Sequence, residues 1–396
     1  MTDDPPTALS RRAFLRAAIG VGGALGAVPL LGAMPPLLGA MQSLPIRVGI
    51  IVPAAAPGHI AQGLLEGMAL ASSAIVPTRL RLARAELSSI DELATMIETN
   101  SVDALVGLLS RNHLDAITPL LARHQLPLLV TDIGANVQDV GREHPWVARL
   151  SLNHWQASYA AGRYAASQAR RVLMLSTLYE SGYDTLYAFR LGVERGGGQI
   201  VDTVVLHQLG QQDLVPAMSR IAAAAPDAVF AAGNGDASRQ IAAAYASAGL
   251  AATPLLGSSF FEVGAAPLRI ETVRTWDASV DTAANDAFRQ AYAARYGGQP
   301  DSFAALGFDA AQLLGSAAHP APDLFAAALG SAAFETPRGA LAMHPATRDA
   351  ASPQYLVRHG SPASMLPASL AAPHPDDLHA LRTKLRTGWI TPYLSI

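Results

Sequence analysis

From residue 46 onward, short runs of aliphatic and β-branched residues alternate with stretches whose apolar residues fall at helical spacing. Parallel strands need helical crossovers, so this alternation predicts parallel sheets covered by helices. IRVGIIV (46–52) is a nearly continuous apolar run followed by a Pro/Ala/Gly turn and then HIAQGLLEGMALASSAI, which reads as strand, loop, helix. TRLRLAR (78–84) sets Leu80 and Leu82 against Arg79 and Arg81, the pattern of a strand with one wet face near a sheet edge. Ser89 caps a helix running to about Glu98, ALVGL (104–108) is a buried strand, NHLDAITPLLARH a helix, and LPLLV (126–130) another strand. The first half therefore predicts a doubly wound sheet with helices on both faces.

The cadence restarts after Leu152. HWQASYAAGRYAASQA is helical, RVLMLS a strand, YDTLYAFRLGVER a helix closed by Gly196 to Gly198, and QIVDTVVLHQ a strand. DAVFAAG (227–233) and TPLLG (253–257) are further strands, separated by a helix from Ala237 to Gly249. Then NDAFRQAYAARYG and SFAALGFDAAQLLGSA are helices with no clear strand between them. ETPRGALAMH and QYLVRHG look like an antiparallel pair, and SPASMLPASLAAPHPDD like a linker to a last short helix and Trp389. A chain of this length with two such units predicts two domains.

The N-terminus has a different logic. Arg11, Arg12 and Arg16 precede a run without charge from Ala17 to Met41, broken by Pro29, Pro35 and Pro36. Those prolines argue against a membrane-spanning helix. The order Ser10, Arg11, Arg12, Ala13, Phe14, Leu15 resembles the twin-arginine export signal, which predicts a signal over residues 1–42, the twin-arginine translocase as an export partner and a periplasmic destination. The best cleavage position is Ala40, with Leu38 in a less favoured place, so a retained N-terminal anchor is the alternative. Glycines 20, 22, 23 and 26 lie inside this signal and follow no strand, so they are not a dinucleotide loop.

Composition excludes several classes. Half the chain is hydrophobic and 15% charged, which excludes disorder for most of it. The net charge is −3, and without Arg11, Arg12, Arg16, Asp3 and Asp4 it is −4, with no basic stripe, so nucleic acid is not an expected partner. The absence of cysteine removes disulfides, thiolate catalysis, iron–sulfur clusters and a lipid-bearing cysteine. The histidines, among them His113, His124 and His154, show no metal-like spacing, and no metal or other cofactor is expected. GNGDAS (233–238) follows a strand and opens a helix, but it ends in Ser238 where a dinucleotide fingerprint has glycine.

Four segments carry a resemblance. VDALVGLLSRNHLDAITPLLARHQLPLLVTD, RVLMLSTLYESGYDTLYAFRLGVERGGGQIV, PDAVFAAGNGDASRQIAAAYASAGL and DAFRQAYAARYGGQPDSFAALGFDAAQLL resemble, in this order, the branched-chain amino-acid (Leu/Ile/Val-binding) type of periplasmic substrate-binding proteins of ABC transporters. The resemblance covers most of residues 46–360 and leaves the final 30 unexplained. It implies the type I periplasmic binding fold: two doubly wound parallel-sheet lobes joined by three hinge crossovers. Residues 43–150 and 278–330 are then lobe one, residues 151–277 and 331–365 lobe two, and residues 366–396 a C-terminal extension.

In open α/β sheets a ligand sits outside the carboxyl ends of the strands, where helix N-termini and loop amides point outward. The loop after ALVGL holds Ser110, Arg111 and Asn112, and the loop after LPLLV holds Thr131, Asp132 and then Asn136. The resemblance implies that Ser110 and Thr131 face a ligand carboxylate. Asp132 departs from the family's small uncharged residues and would repel such an anion. Tyr179, Ser181, Tyr183 and Asp184 follow RVLMLS, Asn234 and Asp236 follow DAVFAAG, and Ser258, Ser259 and Phe260 follow TPLLG. An aromatic there covers an apolar or cationic ligand part, and Asp184 or Asp236 pairs an ammonium. The plain readings stand beside these. Ser110, Asn112 and Asp236 serve as helix N-caps, Tyr179 and Tyr183 as boundary aromatics, Asp132 as the partner of Arg111, and Trp155 and Trp276 as packing residues.

The chain carries no Gly-x-Ser-x-Gly elbow, no His-Glu-x-x-His and no thiol. The expectation is therefore not an enzyme but a periplasmic solute receptor, which closes over an amino-acid-like molecule, amide or small organic acid. It would deliver that solute to ABC permease subunits in the inner membrane. A ligand sensor using the same clamp, or a periplasmic cofactor-bearing enzyme, is the alternative.

Overall fold

The computed structural model describes residues 45–53, 58–74, 80–87, 90–99, 102–109, 111–138, 144–262, 264–358 and 360–383. The expected export signal, Ser89, Ser110 and Trp389 lie outside the described residues. The first sheet is parallel and is built from β1 (Ile46–Pro53), β2 (Leu80–Leu87), β3 (Ala104–Gly107), β4 (Leu128–Asp132) and β5 (Val147–Ser151), in the order β2-β1-β3-β4-β5. Its crossovers are helices α1 (Gly58–Ala74), α2 (Ile90–Glu98) and α3 (Arg111–His124). Val48, Ile50, Val106 and Leu129 enter one core, while Ile51, Leu105, Leu128 and Val130 enter another. A strand buried on both faces has no polar side to show, which is why these runs read as continuously apolar. The wet-faced run is β2, at the sheet edge.

From β5 the chain enters α4 (His154–Gln168), and then the strand β6 (Arg171–Thr177), a one-turn α5 (Leu178–Ser181) and α6 (Asp184–Arg195). β7 (Gln199–Leu206), α7 (Gln211–Ala224), β8 (Ala228–Ala232), α8 (Gly235–Ser247), β9 (Leu255–Gly257) and β10 (Ile270–Arg274) complete the second α/β unit. Here too the strands feed two cores: Val172, Met174 and Phe230 point to one, Leu173, Leu175 and Val229 to the other. Phe189 of α6 stacks on Phe230 of β8 with ring centroids 3.8 Å apart.

The chain then returns to the first sheet as α9 (Ala283–Tyr296), α10 (Ser302–Ala317) and α11 (Pro322–Leu329). Thr282 caps α9 by accepting from the Asn285 N–H, and Asp301 caps α10 by accepting from the Ala304 N–H. α10 lies against α1 at a crossing where both helices present glycine. A Cβ on Gly67 would run into the Ala304 carbonyl, and one on Gly307 into the Leu64 carbonyl. The small antiparallel sheet β11 (Ala333–Thr336), β12 (Gly339–Met343) and β13 (Ala350–Ala351) follows, and Leu341, Met343 and Ala350 join the first sheet's core. Finally β14 (Tyr355–Arg358) and β15 (Ser364–Met365) complete the second sheet, whose order is β15-β14-β10-β9-β8-β6-β7. The chain thus passes between the two sheets three times, at residues 152–153, 275–282 and 352–354.

Several expectations are corrected. β5 and β10 were not read from the sequence, because buried Arg149 interrupts the apolar run of β5, and Glu271 and Arg274 do the same in β10. ETPRGALAMH does not pair with QYLVRHG. It folds back on itself as β11 and β12, turning at Pro337 and Arg338 with Gly339 at φ 88, whereas QYLVRHG becomes β14, antiparallel to β10. β14 and β15 make the second sheet mixed rather than parallel throughout. The supposed linker also carries structure: α12 (Ala368–Ala371) packs on α4, and α13 (Pro375–Thr383) on α6. Asp377 of α13 accepts hydrogen bonds from the Tyr159 hydroxyl (2.8 Å) and the Arg195 guanidinium (2.9 and 2.8 Å). Burial raises its pKa, but Arg195 and Tyr159 outweigh burial and hold it below the usual carboxylate range. Trp155 and Trp276 are buried packing residues, as expected, and Trp276 Nε1 donates to Asn285 Oδ1.

Candidate functional site

The described candidate residues lie at or just beyond the carboxyl ends of β3, β4, β6, β8 and β9. Arg111 and Asn112 are the first residues of α3. Thr131 is fully buried in β4, and its hydroxyl has no partner among the described residues. Asp132 is engaged by Arg149, where the sequence suggested Arg111: Arg149 Nε and Nη2 donate to its two oxygens at 2.9 and 3.0 Å, and Oδ1 also accepts from the Gly134 N–H. Arg149 Nη2 donates as well to the Asn136 carbonyl, so this ion pair shapes the loop after β4.

On the second sheet's side, Tyr183 is buried and Tyr179 half-buried, with ring centroids 5.4 Å apart and hydroxyls 3.2 Å apart. Both pack against the core of the first sheet. Asp184 opens α6, where its Oδ2 accepts from the Val137 N–H at 2.8 Å and its own N–H donates to Asn136 Oδ1 at 3.2 Å. The loop after β4 is thereby tied to the start of α6. Ser181 Oγ donates to the Leu178 carbonyl, and Ser258 Oγ to the Gly233 carbonyl. Asp236 is exposed in the first turn of α8 and pairs with Arg239, so it is neither a cap nor inside the cluster. Asn234 holds the N-cap position of α8, but its amide donates instead to Glu180 Oε1 at 2.9 Å.

Glu180 leads to the residues that sequence reasoning missed. It is completely buried, and its Oε2 lies 3.9 Å from Nε2 of His154, which is also completely buried at the start of α4. A buried carboxylate is costly unless it is paired or hydrogen-bonded; here the Asn234 amide donates to Oε1, and the His154 imidazole lies beyond hydrogen-bond distance but within ion-pair range of Oε2. The His154 ring lies 5.2 Å from Phe260, in the loop after β9. Phe260 in turn stacks on Phe303, at the start of α10, with centroids 5.9 Å apart and planes within 3°, and His59 of α1 meets Phe303 edge-on. This aromatic chain runs from the first sheet's helices to the second sheet's loop. Phe260 was legible as a loop residue after a strand. His154 was hidden because β5, the strand before it, was not recognised.

The arrangement offers an apolar, aromatic wall beside a buried carboxylate–imidazole–amide group. Chemically it suits a small molecule with a flat or apolar body and at least one hydrogen-bond donor. A separate groove of about 810 Å³, lined by Phe261, Leu268, Arg274, Asp277, Val280 and Arg289 among others, borders β10 and touches none of the candidate residues. Among the described residues no three metal-ligating side chains gather.

The sequence profile of the periplasmic binding protein family matches residues 89–361. Among curated protein sequences none matches. Similar solved structures include an ABC-transporter substrate-binding protein from Sphaerobacter thermophilus, at TM-score 0.70 and 24% identity, covering 81% of this chain and 96% of that one. An ABC-transporter solute-binding protein from R. palustris in complex with benzoate matches at TM-score 0.65 and 24% identity, over 81% and 95% of the two chains. The branched-chain amino acid transporter substrate binding protein LivJ from Streptococcus pneumoniae, in complex with isoleucine, matches at TM-score 0.63 and 18% identity, over 81% and 100%.

Proposed function

The chain belongs to the periplasmic binding protein family, and we propose that it is an exported solute receptor of an ABC importer. It traps a small amphipathic molecule between two closing lobes and presents the closed form to a membrane permease. No bond is made or broken. The observation that carries this reading is the contact of Phe260, after β9, with Phe303, on α10, at the carboxyl ends of two sheets joined by three chain crossings. In this reading the lobes are residues 43–150 with 278–330 and residues 151–277 with 331–365, except that Leu341, Met343 and Ala350 pack in the first sheet's core, which moves the hairpin around them to the first lobe.

Ser110, Thr131, Tyr179 and Tyr183 face the solute in this reading, and the Glu180, His154 and Asn234 group reads a donor on it. The aromatic wall favours a flat or branched apolar body, which an aromatic acid and a branched amino acid share. Isothermal titration against benzoate, 4-hydroxybenzoate, L-isoleucine and L-leucine tests it, with mass spectrometry of the recovered solute. We expect single-site saturation by one of these classes and unaltered solute. Conversion of a solute to product, with no saturable heat from any, contradicts the proposal.

Residues 1–42 act as a twin-arginine address in the same reading. Exchanging Arg11 and Arg12 together for lysine is expected to leave unprocessed precursor in the cytoplasm, because a receptor reads the paired guanidinium groups and not charge alone. Fractionation and immunoblotting check this, and undiminished periplasmic protein would overturn it.

A further inference from the structure

The three chain crossings share one buried polar knot. Asn153, in the first crossing, adopts a left-handed conformation (φ 48) that asparagine tolerates, and its Nδ2 donates to the Ala350 carbonyl and Ser352 Oγ, both at 3.1 Å. Thr275, in the second, donates its hydroxyl to the Leu152 carbonyl at 3.1 Å. Arg338, at the turn between β11 and β12, is completely buried and reaches in two directions. Its Nε donates to Asp309 Oδ2 of α10 at 2.5 Å, and its Nη1 to the Ser151 carbonyl at 2.7 Å, at the start of the first crossing. The backbone carbonyl of Arg338 accepts from the Tyr355 hydroxyl at 3.1 Å, which brings in β14 of the second sheet, just past the third crossing.

An ion pair buried this completely does not by itself stabilise a fold, since desolvation offsets the attraction. Burial outweighs Arg338 and the Thr336 hydroxyl and pushes the Asp309 carboxyl up to about 6. The groups facing Asp309 are Arg338 and Thr336 from the hairpin, and among the described residues no other charged group acts on it. Tyr355 faces Arg338 from β14, with Glu335 beside it. A pair that adds little net stability sits where the chain crosses between the two sheets, not in the middle of either.

We infer that Arg338, oriented by Asp309, pins the hinge: it fixes the crossing at Ser151 against the crossing before Tyr355 and so sets how readily the lobes close. This rests on the receptor reading above. The titration has a definite sign. Asp309 is raised in the fold above its usual 3.8, so its contribution to stability is fully present below the unfolded value and is lost as pH rises through about 6. Falling pH therefore favours the fold at this residue while it removes the counter-charge that orients Arg338. Stability and hinge order move in opposite directions, which a merely structural role would not produce.

The chain has no cysteine, so Ala116→Cys on α3 and Ala222→Cys on α7, both exposed, place one spin label on each lobe. Distances are measured on the chain from residue 43, alone and with benzoate or L-isoleucine, at pH 7.5 and 5.0. The Asp309→Leu/Arg338→Met double variant is expected to melt close to the parent, yet to show a distance distribution about twice as wide. The parent is expected to broaden at pH 5.0 and the double variant to be insensitive to pH. The pH comparison uses the parent alone, so it decides the matter even if the double variant does not fold. Parent distributions that superimpose at the two pH values overturn the inference. If the parent closes on a probe and ignores pH, the pin fails and the receptor stands. If it closes on neither probe but broadens with pH, the pin stands without the receptor.

Discussion

Valine at Gly67 or Gly307 is expected to cost at least about 3 kcal/mol, and the two together to abolish cooperative folding. At the α1–α10 crossing each added Cβ meets a backbone carbonyl, that of Ala304 or of Leu64, and not the flexible end of a side chain. Overpacking a core usually costs about 1–3 kcal/mol. A clash with backbone takes the upper end or beyond, because two whole helices must separate. Against a total stability of roughly 5–15 kcal/mol, two such losses exhaust the margin. The consequence reaches the site, since the first turn of α10 carries Phe303 and the first turn of α1 carries His59. Thermal melts followed by circular dichroism check this. A melting point for Gly307→Val indistinguishable from the parent's would mean that the helices cross elsewhere.

The second large effect concerns binding. Phe260→Ala is expected to weaken solute affinity about 30-fold while leaving the melting temperature of the solute-free protein nearly unchanged. Phe260 is half-buried and makes its aromatic contacts with Phe303 and His154. Loss of one such side chain from a closed contact is worth about 2 kcal/mol, which is about 30-fold in an equilibrium constant. Opening of the proposed clamp would break the Phe260–Phe303 contact, so loss of the ring acts chiefly on the closed state. Titration calorimetry and melts on the same samples separate the two. An equal loss of stability with intact affinity would assign Phe260 to the core.

The strands that were legible are those buried on both faces. IRVGIIV, ALVGL, RVLMLS and DAVFAAG are apolar through their centres because each feeds two cores, and a lone sequence shows that directly. β5 and β10 were obscured by charge. Arg149 lies buried in β5 because Asp132, on the neighbouring strand, neutralises it, and no local pattern reveals a partner 17 residues away. The same blindness affected the site. Loops after strands were found by counting, which put Thr131, Tyr183, Asn234 and Ser258 at or just beyond the carboxyl ends of β4, β6, β8 and β9. Which side chain turns inward was not legible: Glu180 is buried and Ser181 is not, and Asp236 faces solvent two residues from Asn234. The hinge was the least visible part. Arg338 reads as a surface arginine in a Pro-Arg-Gly turn, and its burial follows only from the meeting of α10, β5 and β14.

Small-angle X-ray scattering of the chain from residue 43, recorded with and without the solute that saturates it, tests the clamp most directly. The account predicts a smaller radius of gyration and a shorter maximum dimension on saturation, reversed when the solute is dialysed away. Identical scattering curves in the two states, with binding verified calorimetrically on the same sample, would contradict it.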